Sequence, residues 1–138
     1  MKFKIDKEER YTVFHLLEEN LNSTIAPQVK SEFVLLNNEG TKNLILDLSA
    51  VKYVDSSGLS AILTANRLWK GDNGSFVLTG IVNENVKKLI TISRVDTVLT
   101  ILPTVQESID DVLMDELNRE FGKDADAEEM NVNPDVEE

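Results

Sequence analysis

The residues best suited to chemistry lie in one short run, Val54-Asp55-Ser56-Ser57-Gly58-Leu59. A carboxylate, two hydroxyls and a glycine stand directly before an apolar helical pattern. That is the composition of a helix start, where unpaired N–H groups and the positive end of the helix dipole face outward. A phosphate is electrostatically welcome at such a place. A serine at the first helical position keeps its side chain at the edge of the fold, within reach of an enzyme. Gly58, lacking a side chain, lets another backbone approach closely. The same residues also suit a plain cap, because Asp and Ser are among the strongest helix caps. Taken alone, the run leaves both readings open.

Other chemistries find little support. The chain of 138 residues has no cysteine, so disulfides, thiolate nucleophiles and cysteine-ligated metals are excluded. Its single histidine, His15, argues against histidine-rich metal sites and against Ser/His/Asp catalysis. His15 falls in a strand pattern with no base partner placed by sequence, and reads as a half-buried strand residue. Asp47 could be a second carboxylate near Asp55, or could serve capping or packing at a strand end, and two carboxylates alone do not make a hydrolase. Gly71-Asp72-Asn73-Gly74 lacks the lysine and spacing of a phosphate-binding loop and reads as a turn. Only Lys52 is a lysine close to Asp55 in sequence. No catalytic residue, metal or cofactor is implied, and the chain is not expected to be an enzyme. Lys and Arg number 14 against 25 Asp and Glu, a net charge of −11 that would repel a nucleic-acid backbone. No apolar run approaches the ~20 residues needed to span a bilayer. The first residues, Met1 to Asp6, alternate like a strand and lack the apolar stretch of a signal peptide. A soluble, cytoplasmic protein is expected.

These residues need elements to position them. Phe3 and Ile5 alternate with polar neighbours, and Arg10 to Leu17 is rich in β-branched and aromatic residues, so a strand hairpin opens the chain. Asn20 to Thr24 reads as a turn in which Ser23 or Thr24 caps a helix. That helix carries Ile25, Val29, Phe33 and Leu36 at helical spacing, tolerates Pro27 in its first turn, and ends at Gly40. Asn43 to Leu48 is a largely apolar run that suits a central strand covered on both faces. Ser57 to Trp69 is helical, with Leu59, Ile62, Leu63 and Leu68 as its buried stripe. Ser75 to Thr79 is a strand, Asn83 to Ile92 a helix and Val98 to Leu102 the last strand. Thr104 and Glu107 form a capping box for a final helix from Val105 to about Leu117. After the hairpin, strands and helices alternate with short links. The expected fold is therefore α/β, a mixed open sheet of a hairpin followed by parallel βα units, with about four helices packed against it. Ligands of such sheets gather where strands end and helices begin, which is where Asp55 to Gly58 lies.

Composition also divides the chain. From Asp115 to Glu138 there are ten acids and two bases, and after Gly122 no apolar period. Residues 1–118 are expected to form the domain, and 119–138 an acidic tail too polar to offset its ordering entropy.

The run Asp55-Ser56-Ser57-Gly58-Leu59 follows Leu46-Asp47-Leu48-Ser49 and Val51-Lys52-Tyr53-Val54. In this setting it resembles the signature of STAS domains, the family that includes the bacterial anti-sigma factor antagonists. The resemblance is specific from Leu46 to Leu63 and extends in element order over about residues 1–117. It implies that Ser56 is a phosphorylation site, with Asp55, Ser57 and Gly58 as the switch loop around it. It further implies that the unphosphorylated form binds a serine-kinase anti-sigma factor, that the kinase ends this binding by phosphorylation, and that a phosphatase restores it. Asn22, Ser23, Ser60, Thr64 and Arg67 would form the partner face. The family's usual Gly-Glu-Leu-Asp is replaced here by Glu18-Glu19-Asn20-Leu21-Asn22, with Asn22 where an aspartate is common. Two other roles fit the same residues: a STAS subunit of a signalling or transport complex without phosphorylation, and a small nucleotide-binding protein.

Overall fold

A computed structural model describes residues 1–131, with side chains described to residue 121. The elements are β1 (Phe3–Lys7), β2 (Thr12–Leu16), β3 (Asn20–Leu21), α1 (Ala26–Asn38), β4 (Asn43–Asp47), β5 (Tyr53–Val54), α2 (Ser56–Gly71), β6 (Ser75–Thr79), α3 (Glu84–Ser93), β7 (Thr100–Leu102) and α4 (Val105–Asn131). A short 3-10 turn, Val95–Thr97, joins α3 to β7. The main sheet runs in the order β1-β2-β4-β6-β7. Its β1–β2 hairpin is antiparallel, and the remaining pairs are parallel. The expected hairpin, parallel βα units and four packed helices are all present.

Strand alternation decides which helix covers which face. Phe14, Leu16, Leu44, Leu46, Phe76 and Leu78 point to the larger core, where α1, α2 and α3 contribute Val29, Phe33, Ile62, Trp69 and Val86. Val13, Ile45 and Val77 point the other way and meet Val112, Val105 and Ile109 of α4. Every residue of β4 is buried, as its apolar run requires of a central strand covered on both faces. Aromatic rings fill the larger core in series: Phe3 stacks on Phe14, Phe14 meets Phe33 edge-on, and Phe33 meets Trp69 edge-on. Trp69 is fully buried, and its indole N–H donates to the Thr41 carbonyl at 3.0 Å, so its polar atom is satisfied.

Four local expectations need correction. The cap of α1 is Ile25, with no side-chain hydrogen bond, rather than Ser23 or Thr24. Their amides have other partners: Ser23 N–H donates to Asp55 and Thr24 N–H to the Asn22 side chain. The stretch Asn20 to Thr24 is not only a turn, because Asn20 and Leu21 pair in parallel with Tyr53 and Val54 to form a separate two-stranded ribbon. The deepest stripe of α2 is Gly58, Ala61, Ile62, Ala65 and Trp69. Leu59, Leu63 and Leu68 only flank it, half-buried, because small residues let the helix lie close to its neighbours. Finally, α4 does not end near Leu117 but keeps a helical backbone to Asn131. Residues 119–131 contain no proline and many good helix formers, so the helix propagates without an apolar stripe. Arg119, the first residue counted as tail by composition, donates to Ser75 Oγ at 3.2 Å and to Asn43 Oδ1 at 3.3 Å. The expectation for residues 132–138 lies outside the described residues.

Candidate functional site

Asp55 is the hinge of the site. It follows β5 in an extended conformation and caps α2, accepting at Oδ1 from the Gly58 N–H at 2.9 Å. Its Oδ2 accepts from the Ser23 N–H at 3.2 Å, and its own N–H donates to the Leu21 carbonyl at 3.2 Å. One residue thus ties β3, the turn before α1 and the first turn of α2 together. Gly58 is required beneath it: a Cβ there would run into the carbonyl oxygen and side chain of Leu21. The glycine places the start of α2 hard against the two-stranded ribbon.

This scaffold leaves Ser56 at the first position of α2 with its residue exposed, and Ser57 half-buried. The side chain of Ser56 makes no hydrogen bond among the described residues. Beside it opens a groove of about 320 Å³ lined by Ser23, Ala26, Pro27, Lys30, Ser56, Ser57 and Ser60. One wall is the first turn of α1 and the other the first turn of α2. Both helices follow parallel strands, so both N-termini emerge on the same side of the sheet. The dipoles of two helices therefore point their positive ends toward this corner.

Of the residues expected to form a partner face, Ser23 and Ser60 line the groove together with Ser56. Thr64 follows Ser60 on α2 by four residues and Arg67 follows Thr64 by three, which keeps all three on the same face. Thr64 Oγ1 donates to the Ser60 carbonyl at 2.9 Å, and Arg67 reaches Thr64 Oγ1 at 3.5 Å. Asn22 stands apart from the groove lining. Its side-chain oxygen accepts from Thr24 N–H at 3.0 Å, and its carbonyl accepts from Ile25 and Ala26 N–H. It builds the turn that brings Ser23 to the groove. Lys52 pairs with Glu19 at 3.6 Å and does not line the groove. The residues that sequence reasoning missed are those of α1, above all Lys30. The available signal was topological: two successive parallel units put their helix starts side by side.

Asp47 does not join Asp55. It belongs to a second polar corner, at the end of β4. His15 Nδ1 lies 2.7 Å from Asp47 Oδ2, and His15 Nε2 lies 3.1 Å from Asp6 Oδ2. Asp47 also accepts from the N–H and the hydroxyl of Ser49. Sequence spacing gave His15 no partner, whereas sheet register gives it two: Lys4 and Asp47 flank it on either side, and Asp6 lies two residues along the hairpin. A ring that is protonated on both nitrogens would donate to both carboxylates. The nearest hydroxyl, that of Ser49, already donates to Asp47.

Among the described residues, no group of three or more His, Asp or Glu could hold a metal ion. Among the same residues, no helix is long and apolar enough to cross a membrane.

Comparison with known proteins fits this geometry. Residues 2–108, well over half of the chain, match the model of the STAS domain. A Thermotoga neapolitana protein named as a homolog of the anti-sigma factor antagonist TM1081 is 29% identical over 75 residues, which is 54% of this chain. The aligned stretch spans 66% of that relative, just under two thirds of its length. Among solved structures, the Thermotoga maritima anti-sigma factor antagonist TM1081 superposes with a TM-score of 0.70 and 26% identity, covering 80% of this chain and 93% of its own. A Moorella thermoacetica RsbS variant with a serine-to-glutamate substitution superposes with a TM-score of 0.67 and 26% identity, covering 86% and 99%.

Proposed function

Since the chain belongs to the STAS domain family, we propose that it is an anti-sigma factor antagonist whose binding is switched by phosphorylation of Ser56. The observation that carries this reading is the state of Ser56. It is exposed, is free of hydrogen bonds among the described residues, and lies at a helix start on the rim of a groove. A kinase would transfer the terminal phosphoryl group of ATP to Ser56 Oγ, breaking the bond to ADP and releasing the hydroxyl proton. Asp55, Ser57 and Gly58 hold the acceptor in place. Asn22, Ser23, Ser60, Thr64 and Arg67 make up the proposed docking face for a serine-kinase anti-sigma factor, and a phosphatase resets the switch.

The physics of the switch is local. Phosphorylation adds about −1.5 to −2 charges and three acceptor oxygens. At a helix N-terminus this charge is compensated by the dipole, so the fold survives. At an interface the same phosphate must be desolvated, at an effective cost of several kcal/mol. About 1.4 kcal/mol is a factor of ten in affinity, so one modification suffices to end tight binding without moving the backbone.

The test uses two baits, Ser56→Ala and Ser56→Asp, in parallel pull-downs with quantitative mass spectrometry. A serine-kinase anti-sigma factor enriched on the alanine bait and depleted on the aspartate bait supports the reading. Equal recovery of that kinase on both baits, or its absence from both, contradicts it.

A further inference from the structure

Among the described residues, Lys30 is the only charged one lining the groove beside Ser56. It lies one turn into α1 and is half-buried. Its neighbours three and four places away on the helix are Ala26, Pro27, Phe33 and Val34, so α1 offers it no carboxylate at ion-pair spacing. Among the described residues it enters no salt bridge, which it shares with the more exposed Lys2, Lys42, Lys70 and Lys88. The acid of this corner, Asp55, is already engaged by the amides of Gly58 and Ser23. A lysine and a serine hydroxyl that both lack partners among the described residues thus line the same groove, one from each helix.

We propose that Lys30 is the internal receiver of the phosphate on Ser56, a role that rests on the reading of Ser56 as the modified residue. The phosphoserine forms an ion pair with Lys30 across the groove and latches the first turn of α1 to the first turn of α2. An ammonium group carries three donors and the phosphate three acceptor oxygens, so the pair is hydrogen-bonded as well as charged. Partial enclosure by the groove walls strengthens it relative to an open surface pair. The latch adds a second element to the switch. The phosphate repels or desolvates poorly against a partner, and its pairing with Lys30 also fills the groove between Ser23, Pro27 and Ser60 that a partner side chain would enter.

The test needs no kinase. Phosphoserine is encoded at position 56 of the full chain, and the second ionisation of the phosphate is followed by phosphorus NMR against pH. A free phosphoserine titrates near about 6. A nearby cation favours the dianion and lowers that value. The expected midpoint is lower with Lys30 than in Lys30→Gln by roughly 0.5 pH or more, and Lys30→Arg keeps the lower value. Both helix dipoles and Asp55 act equally on all three forms, so the difference isolates the side chain at position 30. Identical midpoints in all three forms overturn the latch. They would leave the partner switch standing, because that rests on affinity. Conversely, a partner affinity indifferent to the phosphate sinks the switch while the NMR difference still reports the latch.

Discussion

Two corners of this molecule are built alike and end up unlike. In each, an aspartate at or just past the end of a strand captures backbone N–H groups: Asp47 takes that of Ser49, and Asp55 takes those of Gly58 and Ser23. At Asp47 the neighbouring polar groups close on one another. Ser49 donates its hydroxyl inward, and both nitrogens of His15 meet carboxylates. At Asp55 each carboxylate oxygen holds one amide, but the serine after it is left exposed beside a groove and a lysine that is unpaired among the described residues. Saturation marks a corner that holds the sheet together. An ordered frame around an uncommitted hydroxyl marks a corner available for modification and docking.

Substitutions that break this contrast should separate binding from stability. The largest effect is expected from Ser56→Asp, which should weaken the partner complex by about 100-fold or more in a calorimetric titration. Its melting temperature should stay close to that of the native chain. Next comes Gly58→Ala. Its Cβ would collide with the Leu21 backbone, and overpacking of this kind costs about 3 kcal/mol, measurable by urea unfolding. Asp47→Ala strands the Ser49 amide and His15, and should cost about 2 kcal/mol in the same assay. Asp55→Ala removes a helix cap in a more exposed place and should cost only about 1 kcal/mol. Ser56→Ala should leave stability within about 0.5 kcal/mol, since the hydroxyl bonds to nothing among the described residues. A large loss of stability in Ser56→Ala would erase the distinction between the two corners.

Much of this was legible in the residues, and the illegible parts share a cause. The all-buried strand at Asn43–Asp47, the helix after Asp55 and the serine at its first position follow from local apolar pattern and cap chemistry. The Thr104 capping bond to the Glu107 amide, at 3.1 Å, was local in the same sense. The ribbon of Asn20–Leu21 with Tyr53–Val54 was not, because two residues are too few to show a period and the pairing joins distant segments. Ser23 is not the cap of α1 because the helix starts later, with Ile25 in the cap position, and the Ser23 amide is tied instead to Asp55, far along the chain. His15 gained its carboxylates only through sheet register, and Lys30 reached the site only because α1 and α2 lie side by side. The extension of α4 was missed because an apolar stripe was required of a helix that propensity alone continues.

The most direct test is a calorimetric titration of the kinase recovered on the Ser56→Ala bait against two forms of the full chain, unmodified and carrying encoded phosphoserine at position 56. Tight binding of the first and at least about a 100-fold loss in the second, with matching circular dichroism, is the predicted result. Equal affinity of the two forms would mean that the exposed hydroxyl of Ser56 is not where this protein is switched.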